Sequence, residues 1–215
     1  MAMTETEPVS DFLRVRDPRT GGIIICCNRS HVINPDFLEM VCGAAAANGG
    51  AAKVPVIDVT TCVPRGDSQA FVHDTFVLHK AVPRYCRMLV DFSCLIQSHL
   101  ETSGVCIVHC KNGRSRSPNV ILAHLMISAL GSGSPAGEAS SSGSNPQHMT
   151  RAFATDWLTT AFRVQRPTIA ARSASFPNFA KFDNVIRALE KDVFAEVPWV
   201  RERIAENAER FSQAA

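Results

Sequence analysis

Nine consecutive residues, His109 to Ser117 (HCKNGRSRS), carry the side chains best suited to chemistry in this chain. Cys110 and Arg116 are separated by five residues, with Gly113 between them and Ser117 directly after the arginine. A thiol becomes a strong nucleophile only when ionised, and a planar guanidinium grips two oxygens of a tetrahedral anion at once. The stretch therefore pairs a nucleophile with an oxyanion clamp. Gly113 permits a sharp bend, so the backbone of Lys111, Asn112, Gly113, Arg114, Ser115 and Arg116 can present its N–H groups to the anion's oxygens. Ser117 can donate to the sulfur and assist its expulsion in a second, hydrolytic step. Ser115 suits a supporting role in the loop.

Such a loop has to be positioned from both sides. Val105 to Val108 (VCIV) is a short apolar run with β-branched character, which reads as a buried strand. Pro118 to Leu130 (PNVILAHLMISAL) is apolar nearly all round, lacks glycine and starts with proline, where the missing N–H costs nothing, so it reads as a buried helix. A loop between a strand and a helix N-terminus aims N–H groups and the positive end of the helix dipole into one concavity, the usual physics of a phosphate site.

The rest of the chain alternates in the same way. Phe12 to Arg16 and Gly22 to Cys26 bracket the turn-rich DPRTGG and predict an opening β-hairpin. Asn34 to Ala46 predicts a helix, and Val54 to Val59 a strand, which together begin an α/β layer. Thr60 to Lys80 has no sustained period and reads as a long loop with a short strand near Phe71 and Val72; long loops inside compact domains are usually functional. Arg84 to Leu100 spaces its apolar residues as an amphipathic helix. Gly131 to Gln147 is rich in Gly, Ser and Pro and reads as a flexible insertion. Helices are expected over Met149 to Val164, Pro177 to Lys191 and Pro198 to Phe211.

With 215 residues and 46% hydrophobic content the chain can bury one good core. A net charge of +2 gives no overall basic field, so phosphate recognition must be local and nucleic acid is not an expected partner. The polar, acidic start is unlike a secretory or transit signal, and no apolar run approaches the ~18 residues of a membrane span. A soluble intracellular protein, cytoplasmic or nuclear, without integral membrane association is the expectation. Eight cysteines, Cys26, Cys27, Cys42, Cys62, Cys86, Cys94, Cys106 and Cys110, form no C-x-x-C pair. Reduced thiols are expected rather than a disulfide framework or a zinc site, and no metal or cofactor is called for. Cys62 is the best-placed partner for a reversible disulfide with Cys110, although a buried apolar thiol is its simpler role.

HCKNGRSRS resembles the H-C-x5-R signature of the cysteine-dependent protein tyrosine phosphatase superfamily, and its G-x-x-R-S ending resembles the dual-specificity branch. RVQRP at 163–167, followed by the phenylalanine-containing segment at 175–182, is similar to the closing part of that branch, and a looser likeness runs from the hairpin to about Lys191. The resemblance implies an α/β fold with a central mixed sheet flanked by helices in three layers. It implies a catalytic domain over 12–193, between a flexible N-terminus at 1–11 and a C-terminal helical extension at 194–215.

The resemblance further implies a cysteinyl-phosphate intermediate. Cys110 attacks phosphorus, Arg116 and the loop amides bind the equatorial oxygens, and an aspartic acid on a loop roughly thirty residues upstream protonates the leaving oxygen. Asp74, in VHDTF and 36 residues before Cys110, is the choice for that acid and then for the general base, with Asp67 as runner-up. Asp91 falls in the amphipathic helix and Asp58 in a strand, where structural roles suit them better. His109, next to the cysteine, is counted with Lys111, Asn112, Gly113, Arg114 and Ser115 among the substrate-binding residues.

Implied substrates are phosphoproteins carrying phosphotyrosine or phosphoserine and phosphothreonine. Lys111 and Arg114 place basic side chains at the variable loop positions, as in lipid-directed members, so a phosphoinositide or other phospholipid is the alternative. A non-catalytic phosphate-binding module is disfavoured because nucleophile, arginine and acid are all present. Sulfur transfer or arsenate reduction by a C-x5-R loop fits GRSRS less well, and an ordinary strand-to-helix turn gives no reason for Cys110, Gly113 and Arg116 to coincide.

Overall fold

The computed structural model describes residues 12–17, 19–47, 54–59, 71–75, 82–131, 151–167, 170, 176–180 and 183–194. The chain opens with β1 (Leu13–Arg16) and β2 (Ile23–Asn28), an antiparallel hairpin in the register Leu13↔Cys26 to Arg16↔Ile23. One helical turn, α1 (Arg29–Val32), follows directly, capped by the Asn28 side chain, which accepts from the His31 N–H at 3.2 Å. Then come α2 (Pro35–Ala47), β3 (Val54–Asp58), β4 (Phe71–Thr75), α3 (Val82–Ser103), β5 (Val105–Cys110), α4 (Arg116–Gly131), α5 (Arg151–Gln165) and α6 (Asp183–Phe194).

The strands form one mixed sheet in the order β1-β2-β5-β3-β4, in which only the β1–β2 pairing is antiparallel. Every residue of β3 and β5 is buried, as expected for inner strands covered on both faces. Side-chain alternation divides their residues between two cores. Ile24, Cys26, Ile57, Cys106, Val108 and Cys110 pack with α3, α4, α5 and α6. Ile25, Cys27, Val54, Val56, Val105 and Ile107 pack with Val32 of α1 and with Phe37 and Val41 of α2. The result is the expected three-layer α/β arrangement, with a thick helical layer on one side and a thin one on the other.

Two polar devices tie the hairpin to the helices. Asp17, at the end of β1, accepts from Thr20 N and Oγ1 at 2.7 Å, and its other oxygen lies 3.1 Å from His124 Nε2 of α4. His124 Nδ1 in turn lies 3.0 Å from Ser93 Oγ of α3. All three are sealed in the core, so this serine, histidine and aspartate series binds hairpin, α3 and α4 together and does no solvent chemistry. At the sheet edge, Gln165 at the end of α5 accepts from Arg14 N at 2.9 Å and donates to Arg14 O at 3.2 Å, a side chain standing in for a strand.

Several boundaries differ from expectation. The helix expected from Pro177 starts at Asp183, because the backbone at 176–180 is engaged elsewhere, as the site geometry makes plain. β2 runs two residues past Cys26, and β5 runs past Val108 through Cys110, because the two strands pair to the end, Asn28↔Cys110. α4 opens at Arg116, ahead of Pro118. Residues 1–11, 132–147 and 195–215 lie outside the described residues, and with them the expected N-terminal tail, nearly all of the insertion and the C-terminal helix.

Candidate active site

Cys110 is the final residue of β5, held by β2 alongside it, and only 5% exposed. It faces the α3 and α4 layer with Cys106 and Val108, while alternation turns His109 to the opposite face. There His109 meets Asp58, its register partner on β3, with Nε2 and Oδ1 3.7 Å apart and both side chains almost fully buried. That is an ion-pair distance rather than a hydrogen bond. The structural role expected for Asp58 is therefore exercised on the residue next to the thiol.

The loop at 111–115 crosses from β5 to α4, and its carbonyls are tied down from behind. Arg166 Nη1 donates to Gly113 O at 3.1 Å. Asn178 N donates to Arg114 O at 2.8 Å, and Asn119 N and Nδ2 donate to Ser115 O at 3.0 and 2.7 Å. Ser115 Oγ completes the clasp by donating to Asn178 O at 3.2 Å. In a planar trans peptide the C=O of one residue and the N–H of the next point in opposite directions. Three tethered carbonyls therefore direct the N–H groups of Arg114, Ser115 and Arg116 to the other side of the loop. Arg116 and Ser117 open α4, adding the positive end of its dipole.

Gly113 has a φ of +61°, and a Cβ there would lie 2.8 Å from the Cys27 carbonyl oxygen and 3.0 Å from Arg166 Nη1. Both the conformation and the space require glycine. Lys111 and Asn112 are exposed at the rim, Arg114, Ser115 and Arg116 are half-buried, and Gly113 and Ser117 are buried. Residues 111–117 are thus brought together as one cup over the thiol, whereas His109, expected among the substrate-binding residues, is turned to the other face of the sheet by strand alternation.

Electrostatics single out one of three neighbouring thiols. Burial alone would raise the pKa of Cys110, but the Ser117 hydroxyl and the N–H groups of Ser117, Asn112 and Gly113 override it and hold the thiol below its ordinary value. Cys26 and Cys27 are pushed well up by burial, and the opposing pull of the Arg166 charge does not compensate. The difference lies in the converging backbone donors, which only Cys110 receives in number. Ser117 Oγ is buried without a nitrogen or oxygen partner, which leaves the sulfurs of Cys110 and Cys26 for its proton to face.

Asp74 lies within β4 and not on an irregular segment. β4 pairs with β3 as Ile57↔Asp74, and β3 pairs with β5 as Ile57↔Val108, so Asp74 stands level with Val108. Two strand spacings, about 10 Å, separate their backbones. It occupies the same C-terminal end of the sheet as Cys110. The strand was understated in sequence because its five residues, flanked by turn formers, draw their stability from β3 rather than from a period of their own. Asp67 and Cys62 lie outside the described residues, and Asp91 is in α3, as expected.

Sequence reasoning missed Asn119, Arg166 and Asn178 as supports of the loop. Asn119 was legible only as a polar exception in an apolar helix, and Asn178 contributes backbone, which no side-chain pattern reveals. Among the described residues no group of three or more His, Cys, Asp or Glu could hold a metal ion, no disulfide is present, and no helix is long and apolar enough to cross a membrane.

No family model matches the sequence, and no curated protein matches it. Among solved structures, human DUSP28 in a single-substitution variant is 18% identical with a TM-score of 0.48, covering 86% of this chain and 98% of that one. A mouse putative dual specificity phosphatase complexed with zinc tungstate is 18% identical with a TM-score of 0.48, over 91% of this chain and 96% of that one. Human DUSP28 itself is 17% identical at a TM-score of 0.46, over 89% and 99%. These likenesses are distant.

Proposed function

We propose that the protein is a cysteine-dependent phosphatase of the dual-specificity type, hydrolysing phosphomonoesters on proteins. The observation that carries this reading is the cup over Cys110: a thiol held below its ordinary pKa, in a loop whose Gly113, Arg114 and Ser115 carbonyls are tethered from behind. A general-purpose buried cysteine needs none of these, as Cys26 and Cys27 illustrate.

In the proposed reaction the Cys110 thiolate attacks phosphorus in line with the ester oxygen. A P–S bond forms, the P–O ester bond breaks, and Asp74 delivers its proton to the departing oxygen. The non-bridging oxygens stay within the loop amides and the Arg116 fork throughout, where preorganised donors stabilise developing charge. Water then attacks phosphorus while Asp74 takes its proton; the new P–O bond replaces P–S, and Ser117 donates to the departing thiolate. Phosphate and the starting enzyme result.

Hydrolysis of an aryl phosphate, compared between the wild type and Cys110→Ser with and without chelator, tests this directly. Activity that survives the serine substitution, or that requires a metal, sinks the mechanism. Asp74→Ala is expected to slow poor leaving groups most, and an equal effect of Asp67→Ala alone reassigns the acid. The exposed Lys111 and half-buried Arg114 favour a second reading, a highly anionic phosphoinositide head group. A side-by-side panel of phosphotyrosine, phosphothreonine and phosphoinositide substrates separates the two.

A further inference from the structure

Arg166 is the largest fully buried side chain in the molecule's described core, with no exposed surface. Taking a guanidinium out of water carries a penalty of several kcal/mol, so its surroundings must be specific. Its backbone is fixed on both sides, since Arg166 N donates to Phe162 O at 2.8 Å and Arg166 O accepts from Ala170 N at 3.0 Å. The guanidinium carbon lies 5.5 Å from the Phe176 ring centroid and 6.0 Å from that of Phe162, two rings in edge contact with each other. From this apolar socket one N–H reaches the Gly113 carbonyl.

We propose that Arg166 is a positioning residue for the Cys110 loop, pinning the Gly113–Arg114 peptide so that its N–H, and not its C=O, faces the bound anion. The inference rests on the reading of the loop as a phosphoryl-binding cradle. Gly113 is the loop residue with the widest conformational freedom, already at positive φ. Rotation of the peptide after it would replace a donor in the cradle by an acceptor, and a phosphoryl group would meet a carbonyl oxygen. The Arg166 hydrogen bond acts on that carbonyl directly. Positive charge alone does not explain the placement, because Cys26 and Cys27 feel the same guanidinium and their thiols remain far above the ordinary value. The contact through which it acts on the loop is the Gly113 carbonyl.

Arg166→Met removes the donor and the charge while keeping an unbranched apolar filler for the socket. The decisive measurement is the pH midpoint for alkylation of Cys110 by iodoacetamide, followed on the Cys110 peptide by mass spectrometry. Loosening Gly113 also releases its own N–H, one of the donors that hold the Cys110 thiol down, so the midpoint is expected to rise by about one unit, roughly tenfold less thiolate at pH values below it. With an aryl phosphate, kcat is expected to fall more than KM rises, because the lost donor acts most strongly on transition-state charge. Leu189→Ala in α6 serves as a control that destabilises without touching the loop, and its midpoint is expected to stay at the wild-type value.

A folded Arg166→Met protein with the wild-type midpoint overturns the proposal. Where that variant is insoluble, Arg166→Lys takes its place: the shorter, non-planar donor predicts a smaller rise, and no rise overturns the proposal equally. The alkylation readout needs no turnover. A shifted midpoint in a protein that hydrolyses no phosphate would retire the phosphatase reading and keep this one, and the converse result would do the reverse.

Discussion

Gly113→Ala perturbs the candidate site at its tightest point. At φ +61° an L side chain carries a penalty of about 1–2 kcal/mol. The new Cβ would also stand 2.8 Å from the carbonyl oxygen and 2.9 Å from the carbonyl carbon of Cys27. Cys27 belongs to β2 and is paired with His109 of the inner strand β5, so the sheet yields less readily than the loop. Regaining an ordinary contact takes a retreat of roughly 0.6 Å, which also strains the Arg166 bond to the Gly113 carbonyl. A misplacement of about 1 Å in a reacting site can lower the rate some hundredfold. A loss of about 30- to 100-fold in kcat/KM is therefore expected, equivalent to about 2–3 kcal/mol of transition-state stabilisation. The thermal midpoint should fall far less dramatically, by about 3–6 °C for a domain of this size. Initial rates on an aryl phosphate, paired with a melting curve, separate the two effects. A folded variant within about threefold of the wild-type rate would refute the argument that backbone donors at this loop make the site.

Other outcomes follow from the same contacts. Burial alone would raise the Asp17 carboxyl, but its hydrogen bonds from His124 and Thr20 hold it at about 2 against an ordinary 3.8. A depressed folded pKa stabilises above the unfolded value and is lost on acidification, so about 2 kcal/mol present at neutral pH should disappear between about pH 4 and pH 2. Unfolding midpoints of the wild type and Asp17→Asn should converge over that window; a pH-independent gap would contradict the account. Asn119→Leu removes the side-chain donor to Ser115 O and is expected to lose about 1–2 kcal/mol of stability together with activity, measured by denaturant unfolding and aryl phosphate turnover. Gln165→Ala should leave turnover intact and increase concentration-dependent association, because Arg14 N and O then lie open on an edge strand, as light scattering would register.

What the sequence made legible was local. The VCIV run, Pro118 and the apolar helix around them set the strand, loop and helix order, and the hairpin and the long amphipathic helix followed from turn residues and period. The parts that were not legible depend on partners distant in the chain. β5 extends to Cys110 because β2 extends to Asn28, some eighty residues earlier. The helix expected from Pro177 starts late, as α6, because Asn178 lends its backbone to Arg114. Arg166, within RVQRP, has the composition of a solvated helix end, and only the socket of Phe162 and Phe176 makes it a core residue. Asp58 was correctly placed on a strand, yet its pairing with His109 needed the sheet order.

The tethers of the loop also set a timetable. Cys110 and Arg116 leave the ribosome well before Arg166 and Asn178, the residues that hold the carbonyls of Gly113 and Arg114. During synthesis at about 5–20 residues per second, the loop spends several seconds without these tethers. A nascent or prematurely terminated product ending before Arg166 carries the full HCKNGRSRS sequence without the side chain that fixes the Gly113 carbonyl, so the loop is complete in sequence before it is complete in structure.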